Sequence, residues 1–169
     1  MRTVLALLTA AVLAVGAIVL GVVATDAYRE LGELAGRRTA AEEAMAGARE
    51  AAPDLLSYDY RSIEEDLARA GRLTTGELTT HFRKLQETMV AKARQERAVL
   101  QATVEGAAVE RSEADRAEIL LFVNLATTRE VPGATEAQQK VIQNRVRFVM
   151  VRQDSQWRVA ELSTLLGSR

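Results

Sequence analysis

Hydrophobic positions change their period twice along the chain. An uncharged apolar run, Thr3 to Ala24, comes first. Segments with apolar residues every three to four positions follow, and after about Arg97 the pattern alternates or runs continuously apolar. As a helix the first run is about 33 Å long at 1.5 Å per residue, enough to cross a bilayer. A cleaved signal peptide is the competing reading, since Val22 and Ala24 suit a cut after Ala24. The run exceeds the usual signal core of about 7–15 residues, and only Arg2 and the amino terminus precede it. An uncleaved anchor over 1–25 is therefore expected, followed by a juxtamembrane stalk over 26–36 and a domain over 37–169.

The middle of the chain reads as helices. Leu34, Ala41, Ala48 and Leu55 recur every seven residues, with Met45 and Ala52 between them, giving one small apolar face. Its alanine content and Arg38 at a seam position favour a helix laid on its own domain over a coiled coil. Pro53 is expected to interrupt or restart that helix. Ser62 with Glu65, and Thr74 with Glu77, have the Ser/Thr-x-x-Glu spacing of capping boxes and predict two more helix starts. The first of these helices runs from about Arg61 to Ala70 and stops at Gly71. The second runs from about Gly76 past Arg94, with Leu78, Phe82, Leu85 and Met89 on one face.

Four strands are expected after the helices: from Ala98, over Ala117–Thr128, over Lys140–Gln153 and over Gln156–Leu165. The second is apolar on both faces and so central. Glu110–Arg116 and Asp154-Ser155 suit hairpins, and Thr128–Gln139 reads as a longer loop. Helices grouped before antiparallel strands define an α+β domain, about three helices packed on one face of a curved four-stranded sheet.

Composition narrows the chemistry. In 169 residues, 22 basic and 23 acidic side chains are interspersed, so no field exists to hold a nucleic-acid backbone. There is no cysteine, which excludes disulfides, thiolate metal sites and a thiol nucleophile. His81 is the only histidine and makes no metal site by itself; no cofactor is indicated. Tyr58, Asp59 and Tyr60 form the one constellation fit for proton transfer, yet alternate residues of an extended segment point opposite ways. The structural role therefore takes precedence: the tyrosines pack over the sheet, and Asp59 bonds a helix start or an arginine. Trp157 is expected to anchor the last strand or mark an interaction surface, and Arg145, Arg147 and Arg152 to decorate a solvated sheet face.

The segment Leu55–Leu78, with Ser57-Tyr58-Asp59-Tyr60 at its head, followed by the strands around Leu120–Thr128, Arg145–Gln153 and Trp157–Val159, resembles the Mce-associated membrane proteins of actinobacterial envelopes. These are small anchored partners of the Mce (mammalian cell entry) lipid-import machinery. The likeness covers about Ala51 to Leu165, and Pro53 and Asp154-Ser155 depart from the family pattern. It implies a cone-shaped, nuclear-transport-factor-like domain outside the cytoplasmic membrane, akin to type IV secretion scaffolds. It also implies a non-enzymatic accessory role in importing a sterol or fatty acid, with Mce-type subunits as partners and a lipid or small apolar molecule as ligand. Two alternatives stand beside it: a ligand-binding or isomerase-like enzyme using the cone cavity, and a homo-oligomeric secretion-type scaffold.

Overall fold

The computed structural model describes residue 32 and residues 34–130 and 137–165. The predicted span over 3–24 lies outside them, and among the described residues no helix is long and apolar enough to cross a membrane. The chain divides into two compact units, Met1–Arg38 and Thr39–Arg169. Residues 34–56 are helical (α1), and from Thr39 onward this helix belongs to the second unit.

Within that unit the order is β1 (Tyr58–Asp59), α2 (Ile63–Arg72), α3 (Gly76–Gln95), β2 (Val99–Ser112), β3 (Arg116–Arg129), β4 (Gln138–Gln153) and β5 (Gln156–Leu165). The domain is α+β, as the two periods predict, and the five strands form one antiparallel sheet in the order β1-β2-β3-β4-β5. The expected four strands gain a fifth, because Tyr58 and Asp59 pair with Leu100 and Val99 at the edge of β2. Two residues are too few to show a period in sequence. Backbone groups of the approaching chain find partners on an edge that would otherwise stay open.

Central β3 shows which face is covered. Ala117, Ile119, Leu121 and Val123 are buried, whereas Leu120 is only half-buried and Phe122 stays 43% exposed. The helices therefore cover one face, joined there by Val146, Phe148 and Met150 of β4 and Val159 of β5. Bulges in β2 after Val104 and Val109, and in the β4–β5 pairing after Val149, bend the sheet around this core. The predicted Thr128–Gln139 loop is shorter than expected, since Thr128 pairs with Gln139 and Arg129 with Gln138. These polar residues continue the ladder through their backbones. Asp154 and Ser155 close the β4–β5 hairpin at φ of 50° and 65°, the left-handed pair that a two-residue turn demands.

Three helical expectations need correction. Pro53 does not break α1, which continues through it to residue 56. Only one backbone bond is lost near the helix end, while burial of Ala51, Ala52 and Leu55 holds the last turns down. Gly71 does not stop α2, which runs to Arg72 and turns at Leu73. The apolar face of α1 is carried by Ala40, Ala44, Ala48, Ala52 and Leu55, with Leu34 54% exposed. It follows the straight-helix period, not the heptad, and lies on the domain's own core.

The close approach of α1 is set at Gly47, where an added Cβ would sit 3.4 Å from Trp157 Cβ and 3.6 Å from Met150 Cε. A methyl group fits that gap, so Gly47→Ala is expected to be neutral or to stabilise by up to about 1 kcal/mol through helix propensity. Gly47→Leu would lift the helix and cost about 1–3 kcal/mol. Chemical unfolding of both variants checks this.

Candidate functional site

The chain between α1 and α2 is stitched to its neighbours by side chains. Ser57 Oγ accepts the amide of Ala102 at 2.9 Å, and the Tyr60 amide donates to Ala98 O at 3.1 Å, so the residues flanking β1 are tied to β2 and to the residue just before it. Across the segment, Asp66 Oδ2 accepts the Asp59 amide at 2.9 Å and the Ser62 hydroxyl at 3.1 Å. Arg69 Nη2 donates to Asp66 Oδ1 at 2.8 Å, and Arg69 Nε to Asp54 Oδ1 at 3.0 Å. A nearly buried carboxylate thus holds the end of β1, the start of α2 and, through Arg69, the last turn of α1.

Asp66 was not singled out from sequence, yet a signal existed. The buried stripe of α2 is Ile63, Asp66, Leu67 and Ala70, so an acid sits at an i+3 position of an otherwise apolar face. A carboxylate there must be fully bonded to be tolerated.

The capping boxes are corrected accordingly. Ser62 stands at the N-cap of α2 but makes no side-chain cap bond, its hydroxyl being committed to Asp66. The N-cap of α3 is Thr75, not Thr74. Thr74 is buried, donates its hydroxyl to Gly71 O at 2.8 Å, accepts the Thr79 hydroxyl at 2.9 Å and bridges Val159 of β5. Glu65 and Glu77 lie in the first helical turns, where their charge suits the helix dipole.

The three central candidates part company. The carboxylate of Asp59 faces Arg61, receiving its backbone amide at 2.9 Å and its guanidinium Nε at 2.9 Å, with Nη2 on the second oxygen. These bonds hold its pKa down at about 2, against an ordinary 3.8. Tyr60 packs on the core with the Arg61 guanidinium 5.5 Å from its ring centre. Tyr58 alone joins the lining of a cavity of about 250 Å³ between helices and sheet. Burial first, and then the Glu96 carboxylate, raise its phenol above the ordinary 10.0. Leucines of three strands, Leu100, Leu125 and Leu162, form the sheet side of that cavity, and the predicted α3 face, Leu78, Phe82, Leu85 and Met89, closes it from above. His81 lines it from an exposed position.

Trp157 is half-buried against the core, and its Nε1 donates to Glu43 Oε2 of α1 at 3.3 Å. The arginines of β4 have acidic neighbours: Arg147 pairs with Glu110 and Arg152 with Glu43, while Arg145 is exposed.

An expected result follows for Asp59. Its folded pKa is depressed, so the stability it contributes is present above about 3.8 and is lost as pH falls toward about 2. Because Arg61 is exposed, Asp59→Asn should cost under about 1 kcal/mol near neutrality. The gap between wild type and variant should close on acidification, which thermal unfolding from about pH 6 to about pH 2 would follow.

A sheet of five antiparallel strands with its helices on one face, and a cavity between the layers, is a fold that the domain shares with a VirB8 homolog. The chain belongs to the family described as Uncharacterized protein Rv1363c/MT1408-like, whose model matches residues 4–164. No curated protein matches it. Among solved structures it is similar to an IcmL-like type IV secretion system protein from Legionella pneumophila, with TM-score 0.56, 10% identity, and coverage of 74% of this chain and 91% of that one. It is also similar to a periplasmic fragment of TraM, with TM-score 0.55, 14% identity, and 73% and 95% coverage. CagV, a VirB8 homolog from Helicobacter pylori, matches with TM-score 0.52, 11% identity, and 70% and 96% coverage. At these identities the likeness is one of fold.

Proposed function

We propose that the protein is a non-enzymatic assembly scaffold of the cell envelope, anchored by residues 3–24 with its α+β domain outside the cytoplasmic membrane. The observation that carries this is the fold match itself: nearly the whole of two type IV secretion system domains and of a periplasmic fragment of TraM superposes on this one. The chemistry of the SYDY segment agrees. Asp59, bound by Arg61 and held at about 2, is too weak a base for proton abstraction near neutral pH. Anchoring would confine the domain to a thin layer above the bilayer and raise its effective concentration for copies of itself and other subunits.

A second reading, an accessory role in an Mce-type complex importing a sterol or fatty acid, rests on the family resemblance of the Ser57–Glu77 segment. One experiment separates the two. Tagged full-length protein is cross-linked in its native membranes, purified, and its companions identified. Recovery of further copies of the chain with envelope subunits is the expected result. Mce-type subunits among them would favour the second reading, and a monomer recovered alone from the soluble fraction would sink the scaffold.

A further inference from the structure

We infer that the cavity beneath α3 is a binding site for a neutral, single-chain amphiphile of medium length, a fatty alcohol or similar hydroxylated hydrocarbon. This site is independent of the scaffold reading, because its apolar lining lies between α3 and the sheet and its ligand need not touch a partner.

Shape and lining define the hydrocarbon part. At about 30 Å³ per water-sized group, a volume of about 250 Å³ takes roughly eight methylene-sized groups. Leucines supply both layers, and Met89 adds an adaptable thioether wall. Such a surface gains from every apolar group that displaces water.

Charge defines the head. Among the described residues the polar groups of the lining are Asp54, Ser57, Tyr58 and His81, with no lysine or arginine. Asp54 is already engaged by Arg69, and Ser57 Oγ by the Ala102 amide. Of the other two, His81 is exposed and Tyr58 half-buried, so Tyr58 is the inner hydroxyl that can donate to or accept from another hydroxyl, and it stays protonated because burial and Glu96 disfavour its phenolate. A carboxylate head beside Tyr58 would meet the Glu96 charge that already acts on that phenol, with no lysine or arginine in the described lining to answer it, whereas an alcohol meets no such penalty. The arrangement therefore selects for a neutral head.

The test uses the full chain in lipid nanodiscs and photo-reactive octanol and octanoate carrying a diazirine near the chain end. After irradiation, trypsin releases the α3 peptides 73–83 and 85–92, which carry Leu78, Phe82, Leu85 and Met89. Octanol is expected to label these peptides at least tenfold more than octanoate, with competition by unlabelled alcohols improving about fourfold per added methylene up to about eight carbons. Leu85→Trp, which fills the cavity from a half-buried position, should abolish the labelling, and Leu78→Trp serves in its place if that variant unfolds. Tyr58→Phe should reduce the preference for octanol while the protein stays folded. Equal labelling by the acid, labelling confined to residues 3–24, or labelling unchanged in a folded filled variant would each overturn the site.

Discussion

Phe148→Ala is expected to destabilise the domain by about 3–5 kcal/mol, the usual cost of emptying an aromatic position in a core. Phe148 is fully buried on β4, where it faces Ile119 of β3 and Leu162 of β5 in the ladder. It therefore fills the middle of the covered face, over which α1 lies with small alanines that cannot swell into a void. A domain of this size is stable by about 5–15 kcal/mol, so the loss removes a large part of the total. Phe148→Leu keeps most of the volume and should lose less than half as much. Denaturant unfolding of both variants checks the order, and Phe148→Ala within about 1 kcal/mol of wild type would mean that the core does not centre on β4.

The second large effect is expected at Asp66. Replacing it with alanine leaves the Asp59 amide and the Ser62 hydroxyl without their acceptor and releases Arg69, at a cost of about 2–3 kcal/mol. Asp66→Asn retains an acceptor oxygen and should cost roughly half of that. Glu65→Ala, by contrast, should fall within about 0.5 kcal/mol of wild type, because Glu65 is exposed in the first turn. The pair Ser62→Ala and Asp66→Ala should be non-additive by at least about 0.5 kcal/mol, since each removes the same bond. A capping box would give the reverse ranking, with Glu65 sensitive and Asp66 tolerant. Proteolysis within residues 57–62 should also accelerate in Asp66→Ala, as the segment loses its hold on α2.

These two positions mark where sequence stopped and tertiary structure began. The order of helices and strands, the central place of β3, the β5 bounds Gln156–Leu165 and the α3 face now lining the cavity all follow from local period. Burial imposes a period of 3.6 or 2 on any segment long enough to repeat it, so these features are legible without a structure. The shorter features are not. Two residues of β1 carry no period, and their pairing depends on the chain entering beside β2. Local spacing ranked Glu65 over Asp66 because a capping box is a pattern of neighbours; Asp66 was chosen by the burial of its helix face and by an arginine it shares with Asp54. Alternation in an extended segment set Asp59 apart from the two tyrosines, and its arginine stands only two residues away, but which tyrosine would line the cavity depended on where the sheet and α3 meet. Periodicity determined which residues are inside; only long-range packing decided which polar groups meet there, because a hydrogen bond has a direction and a distance that a one-dimensional pattern does not contain.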